Sequence, residues 1–188
     1  LLLATHPFAA VSPPVADAIE RVGAAFEAAG AQVDRSSDLL PDLSAQFGHY
    51  MPLLMTALSR GVPMDGSAPP SLSHWFDLLD EQARALRAWQ RLFTRYDAMI
   101  APALGITAFL HDDTPITERM IEVDGRPTRY GLQMALPGLA AFPGLPATAV
   151  PVGKDPDGLP IGAQVIADAW KDHQAIAIAR AAHALLRA

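Results

Sequence analysis

The sequence contains no cysteine, which excludes disulfide staples, thiol nucleophiles, iron–sulfur clusters and cysteine zinc sites together. Lysine is almost as scarce: Lys154 and Lys171 are the only two. With a formal charge of −6 and no run of Lys/Arg, neither nucleic acid nor an anionic membrane surface is expected as a partner. No apolar run approaches the ~18 residues of a membrane span. The longest uncharged stretch, around residues 131–153, is interrupted by Pro137, Pro143, Pro146 and Pro151. Also missing are the G-x-S-x-G elbow, H-E-x-x-H, G-x-G-x-x-G and a phosphate loop, and each absence weakens a whole enzyme class. What remains is a chain of 188 residues, 51% hydrophobic and 18% charged, with 13 Gly and 17 Pro. That is one globular domain with a sizeable core and many turns. Leu1 to Thr5 opens it with neither an initiator Met nor a basic segment, so a piece of a longer polypeptide is expected.

Periodicity gives the elements. Leu1–Thr5 reads as a short buried strand. A helix follows from about Pro13 to Ala29, its apolar Val15, Ile19, Val22 and Phe26 spaced by four, three and four, with Ser12 before it as cap and Gly30 after it as stop. Ala31–Arg35 reads as a second strand, and strand–helix–strand implies a parallel crossover and an α/β fold. Leu39–Gly61 is expected to be helical but kinked or divided at Pro52. Residues 61–70 read as a loop. Trp75, Leu79, Leu86, Trp89, Phe93 and Tyr96 predict one long amphipathic helix from Ser71 or Ser73 to about Tyr96. Asp97–Pro102 reads as a buried strand, Met120–Val123 with Asp124-Gly125 as the start of a hairpin, and Ala147–Val152 with Pro160–Ala167 as a second hairpin turning through residues 155–158. An Ala-rich helix capped by Asp172 closes the chain at about Arg187.

Residues capable of chemistry are few. His111-Asp112-Asp113 has metal-ligating side chains, but adjacent residues rarely converge on one ion and no second cluster has matching spacing, so a loop turn is expected. His74, beside Trp75 and Asp77, sits where helix caps and solvated side chains are common. His173 and His183 are ten residues apart on one helix, roughly 15 Å, too far to share a ligand. Lys154 and Lys171 sit in polar surroundings suited to a solvated amine. Ser59, Ser67, Ser71 and Ser73 are accounted for by caps and turns. No residue is assigned as catalytic, cofactor-binding or metal-binding.

The most informative stretch runs from Leu139 through Pro-Gly-Leu-Pro-Ala at 143–147 and Val-Pro-Val-Gly at 150–153 to Gly-Leu-Pro-Ile-Gly-Ala-Gln-Val-Ile at 158–166. On physical grounds it is a Gly/Pro-shaped turn into a buried hairpin whose glycines allow close backbone approach. It also resembles the carboxy-terminal end of the amidase signature family. The likeness extends to Arg91-Leu92-Phe93, to Tyr96 through Pro102, and to the helix from Pro13 to Gly30 with Ala31-Gln32-Val33 after it.

The resemblance implies amide hydrolysis by a Ser–cis-Ser–Lys triad, without metal or cofactor, on a large mixed sheet flanked by helices. The family's triad lies in its amino-terminal half, and nothing like Gly-Gly-Ser-Ser occurs here, so no catalytic residue is transferred. Residues 1–188 are then expected to be the carboxy-terminal part of a single catalytic domain, inactive alone. They would complete the sheet and line a funnel for a small-molecule amide, with Tyr50–Met64, Leu104–Pro115 and Gln133–Phe142 as candidate wall loops. Within those walls Leu136, Leu139 and Phe142 read more readily as core than as lining. Exposed strand edges would favour self-association, a homodimer included. A cytoplasmic location is the default. Two alternatives stay open: a non-catalytic α/β binding or scaffold module, and a subunit of a transamidating complex.

Overall fold

A computed structural model describes residues 1–63, 66 and 68–187. The opening helix, α1 (Pro13–Ala28), starts where Pro13 and Pro14 have no N–H to leave unpaired. Ser12 caps it with its carbonyl, which accepts from Val15 and Ala16, and not with its hydroxyl. At the other end Gly30, at φ +89°, lets its own N–H reach the Glu27 carbonyl and that of Ala31 reach Phe26, a Schellman closure.

The flanking strands are a correction. Leu1–Thr5 contributes one parallel bridge, Leu2 to Ile100, and Ala31–Arg35 forms no strand. Leu3 donates to Ile100 and Ile100 to Leu1 on one side, and on the other Leu2 donates to the Asp34 carbonyl at 2.8 Å. The chain turns away at His6-Pro7 before a ladder can extend.

Helix α2 (Leu43–Leu58) is also a correction, being shorter than expected and continuous through Pro52. The Asp42 carboxylate caps it, accepting from Ser44 and Ala45. Pro52 removes the donor for the Gly48 carbonyl, and Gly48 is exposed, so water can serve that carbonyl. Helix α3 (Leu72–Leu92) begins at Ser71, whose hydroxyl accepts from His74 N–H at 3.1 Å, and ends four residues short of Tyr96.

Strand β1 (Met99–Pro102) leads into the long loop 103–119. The small hairpin β2 (Met120–Val123) and β3 (Arg126–Arg129) turns at Asp124-Gly125, both at positive φ. A 3₁₀ turn, Tyr130–Met134, runs into α4 (Ala135–Ala141), so the stretch 133–142 is helical and not a wall loop. Then come β4 (Ala147–Lys154), β5 (Pro160–Ile166) and α5 (Asp172–Leu185). The cap residue of α5 is Lys171 and no side chain bonds there, so Asp172 sits in the first turn without capping.

The main sheet has the order β1-β5-β4, antiparallel throughout, and the Leu2 bridge to β1 adds the parallel component. Alternation along the strands divides the core. Ile100, Val150, Val152, Ile161, Ala163 and Val165 face α1 and α5. Met99, Ala101 and Ile166 face Trp89, Leu92, Leu136 and Leu139 of α3 and α4. The outcome is a helix–sheet–helix α/β unit.

Candidate functional site

In open α/β sheets ligands sit outside the carboxyl ends of the strands, where the connecting loops converge. β1 and its parallel neighbour Leu1–Leu3 end at the same edge. Four segments meet there: residues 5–11, the loop 103–109, the 3₁₀ turn before α4, and the β4–β5 turn at 155–158. Gln133 joins three of them. Fully buried, it accepts from Gly105 N–H at 2.8 Å and donates to the Ala10 carbonyl at 2.8 Å. Gly105 itself accepts from Ser12 N–H at 2.8 Å. A Cβ at Gly105 would stand 2.2 Å from the Ala10 carbonyl oxygen, so only glycine allows this approach.

Asp155 ties in the fourth segment. Its carboxylate accepts from Thr107 Oγ1 at 2.7 Å and from the N–H groups of Asp157 and Leu159. The Thr107 hydroxyl, followed by those backbone donors, holds its pKa below the ordinary aspartate range. His6 shapes the first segment: Nδ1 accepts from Phe8 N–H at 3.1 Å, and burial lowers the imidazole to about 4, so it is neutral at neutral pH. Aromatic pairs stand around this edge. Phe8 lies 5.3 Å from Phe47 and Phe109 lies 5.4 Å from Tyr130, centroid to centroid.

The stretch 133–142 touches each of the other two expected walls. Gln133 reaches Gly105, and Tyr50 packs edge-on against Phe142, with Gly138 so close that a Cβ there would be 2.6 Å from the Tyr50 ring. Burial pushes the Tyr50 phenol pKa up. Leu136, Leu139 and Phe142 are buried core residues. Met64 and Ser67 lie outside the described residues.

The remaining candidates are dispersed. His111 and Asp113 stand 3.7 Å apart on the surface, while Asp112 caps Thr114 and faces Arg119. His74 and Asp77 are exposed on α3, and Ser59 bonds back to the Thr56 carbonyl. His183 lies 3.3 Å from Arg187, on α5 with the exposed His173. Lys154 and Lys171 are exposed. Among the described residues no three His, Asp or Glu side chains gather as a metal-ligand set.

Sequence reasoning missed the buried glutamines. Gln46 accepts from Trp89 Nε1 at 2.7 Å and donates to Gly138, and Gln164 donates to the carbonyls of Pro102 and Leu136. A glutamine inside an otherwise apolar helical or strand pattern was the available signal. A cavity of about 380 Å³ lies at the opposite end of β1, bordered by Leu2, Phe26, Val33 and Asp34. There Asp34 is engaged by Tyr96 and Arg95. That cavity is ringed by an ion pair and apolar side chains, whereas the loop convergence outside the strand ends is at the Gln133 edge.

The fold and this loop-built edge define a layered α/β domain. The chain matches the family described as Amidase over residues 70–176, more than half its length, and it belongs to that family. It is 34% identical over 102 residues to a fatty acid amide hydrolase of Medicago truncatula, a match covering 54% of this chain and 16% of that protein. Among solved structures it is similar to a bacterial aryl acylamidase of the amidase signature enzymes, with TM-score 0.63 and 22% identity over 98% of this chain and 43% of that one. A fatty acid amide hydrolase structure gives TM-score 0.73 at 13% identity, over 100% and 40%. The chain therefore spans about two-fifths of these solved relatives and about one-sixth of the plant protein.

Proposed function

We propose that these 188 residues form the carboxy-terminal part of a single amidase catalytic domain, serving hydrolysis of a small-molecule amide C–N bond. The observation that carries this reading is the family match over residues 70–176, which includes β1, the loop after it, the Gln133 turn and the β4–β5 hairpin. The role is division of labour. Acyl transfer needs an activated hydroxyl and oriented donors for the oxyanion. Both lysines here are exposed, one ending β4 and one preceding α5. The nucleophile and its activating Lys then come from sequence outside these residues, while this part completes the sheet and forms one wall around the substrate.

Ala147, Ala149 and Pro151 are exposed on β4, the last strand in the order. That strip is the surface through which the chain alone would self-associate, which light scattering checks. A cytoplasmic setting belongs to the same reading and is checked by cell fractionation. No described helix is long and apolar enough to cross a membrane.

The decisive experiment compares amide hydrolysis by residues 1–188 with that of a longer polypeptide carrying a Lys-bearing segment and a Gly/Ser-rich loop upstream. Activity confined to the longer form supports the reading. A longer form equally inert toward amides overturns it.

A further inference from the structure

Among the described residues, Gln133 is the one side chain that bonds to the backbone of two separate loops at the candidate site. We propose that it is a positioning residue that fixes the substrate-side wall by clamping residues 5–11 to residues 103–109, an inference that rests on the amidase reading above.

The argument begins with the backbone. Neither loop has a ladder of its own, and a buried peptide group without a partner costs about 1–3 kcal/mol. Gly105 N–H and the Ala10 carbonyl meet that requirement through opposite ends of one amide group. The arrangement is polar in a fixed sense, because Gly105 needs an acceptor and Ala10 needs a donor. A neutral amide supplies both, and no apolar side chain of similar size supplies either. The contact is also too close to be remade by another residue. At Gly105 a Cβ would lie 2.2 Å from the Ala10 oxygen and 2.7 Å from Gln133 Oε1. Gly105 is used on both sides, since its carbonyl takes Ser12 N–H at the start of α1. Gln133 lies three residues after Tyr130, the residue that follows β3 and packs against Phe109. The clamp thus sets Phe109 on one side and Phe8, two residues before Ala10, on the other.

The test uses the full-length polypeptide and two substitutions. Gln133→Leu removes both hydrogen bonds. Gln133→Glu keeps the shape, presenting an acceptor to Ala10 when ionised and a restored donor when protonated. The first readout is hydrogen–deuterium exchange, which does not depend on activity. In Gln133→Leu, exchange at residues 5–11 and 103–109 should rise together by about ten-fold, with α1 and α5 unchanged. Val22→Ala, in the opposite core, should not produce that local pattern. The second readout is hydrolysis of 4-nitroacetanilide. A wall displaced without loss of the chemical groups raises KM by about ten-fold while kcat changes by less than about two-fold. Gln133→Glu should regain low KM and loop protection as pH falls.

Loops that exchange as in the wild type, exchange that rises evenly across the whole domain, or a fall confined to kcat would each overturn the proposal. A wild-type polypeptide that cleaves no amide would overturn the amidase reading instead, and the exchange data would still decide the clamp.

Discussion

The two faces of the β1-β5-β4 sheet are built on different chemistry. Toward α1 and α5 the fully buried core is aliphatic, from Leu2, Val15, Ile19 and Val22 across to Val150, Ile161 and Val165, with half-buried Phe26 at its margin. Toward α2, α3 and α4 it contains Trp89, Tyr96 and Met99, stitched by Gln46 and Gln164 to backbone carbonyls and to the indole. The first face relies on non-directional burial, which tolerates volume-conserving exchange. The second relies on paired donors and acceptors, where an isostere that fits but lacks a polar atom leaves a buried partner orphaned. The face that carries α4 and the Gln133 turn is the one built with direction, and direction is what a wall around a substrate requires.

The largest expected effect that sharpens this contrast is at Trp89, fully buried and bonded to Gln46. Trp89→Ala should cost about 3–5 kcal/mol in denaturant unfolding, and the cost should fall heavily on packing around α3. Gln46→Leu preserves volume but strands the indole N–H, and should cost about 1–3 kcal/mol. Set beside it, Ile19→Val on the aliphatic face removes one methylene from a fully buried site and should cost about 0.5–1.5 kcal/mol. Equal costs for the last two would erase the distinction between the faces. Ser71→Ala, which removes a cap from α3 at its exposed start, should cost about 1 kcal/mol and serves as the reference for a surface polar group.

A smaller and more specific effect concerns His6. Burial lowers its pKa from 6.5 to about 4, so the folded chain stays unprotonated where the unfolded chain takes up a proton. Its contribution to stability is therefore present above the ordinary imidazole range, is lost as pH falls from 6.5 toward about 4, and is level below that. His6→Asn can keep an acceptor for Phe8 N–H without titrating. Its unfolding midpoint should fall less than that of the wild type over this window, because the variant has no imidazole to protonate there. Parallel pH curves for the two proteins would contradict the assignment.

The same contrast explains what could be read beforehand. α1, α3, both hairpins and α5 follow from local periodicity and turn chemistry: Val15, Ile19 and Val22 mark a stripe, Asp124-Gly125 marks a turn, and Gly30 marks a helix stop. The aliphatic face is therefore largely visible in sequence. The strand–helix–strand reading failed because Leu1–Leu3 finds only one bridging partner in β1 and one hydrogen bond to Asp34, facts of tertiary placement. Gln133–Phe142 looked like a loop because Pro137, Gly138, Pro143 and Gly144 suggest irregular backbone. Yet Pro137 falls in the first turn of α4, where its missing N–H is harmless, and Gly138 is needed for the close packing of Tyr50. The site edge was half visible: its walls were anticipated as segments, but the glutamine that joins them bonds across 28 and 123 positions, a separation no local pattern reports.

The central claim is that these residues supply the frame and one wall of an amide-hydrolysing site, and that the nucleophile comes from elsewhere. It is tested most directly by incubating the purified 188-residue chain, folded by circular dichroism, with a chromogenic anilide across the pH range. The account predicts no hydrolysis above the protein-free rate at any pH. Turnover that co-purifies with the chain and is abolished by substituting one of its own serines would contradict it.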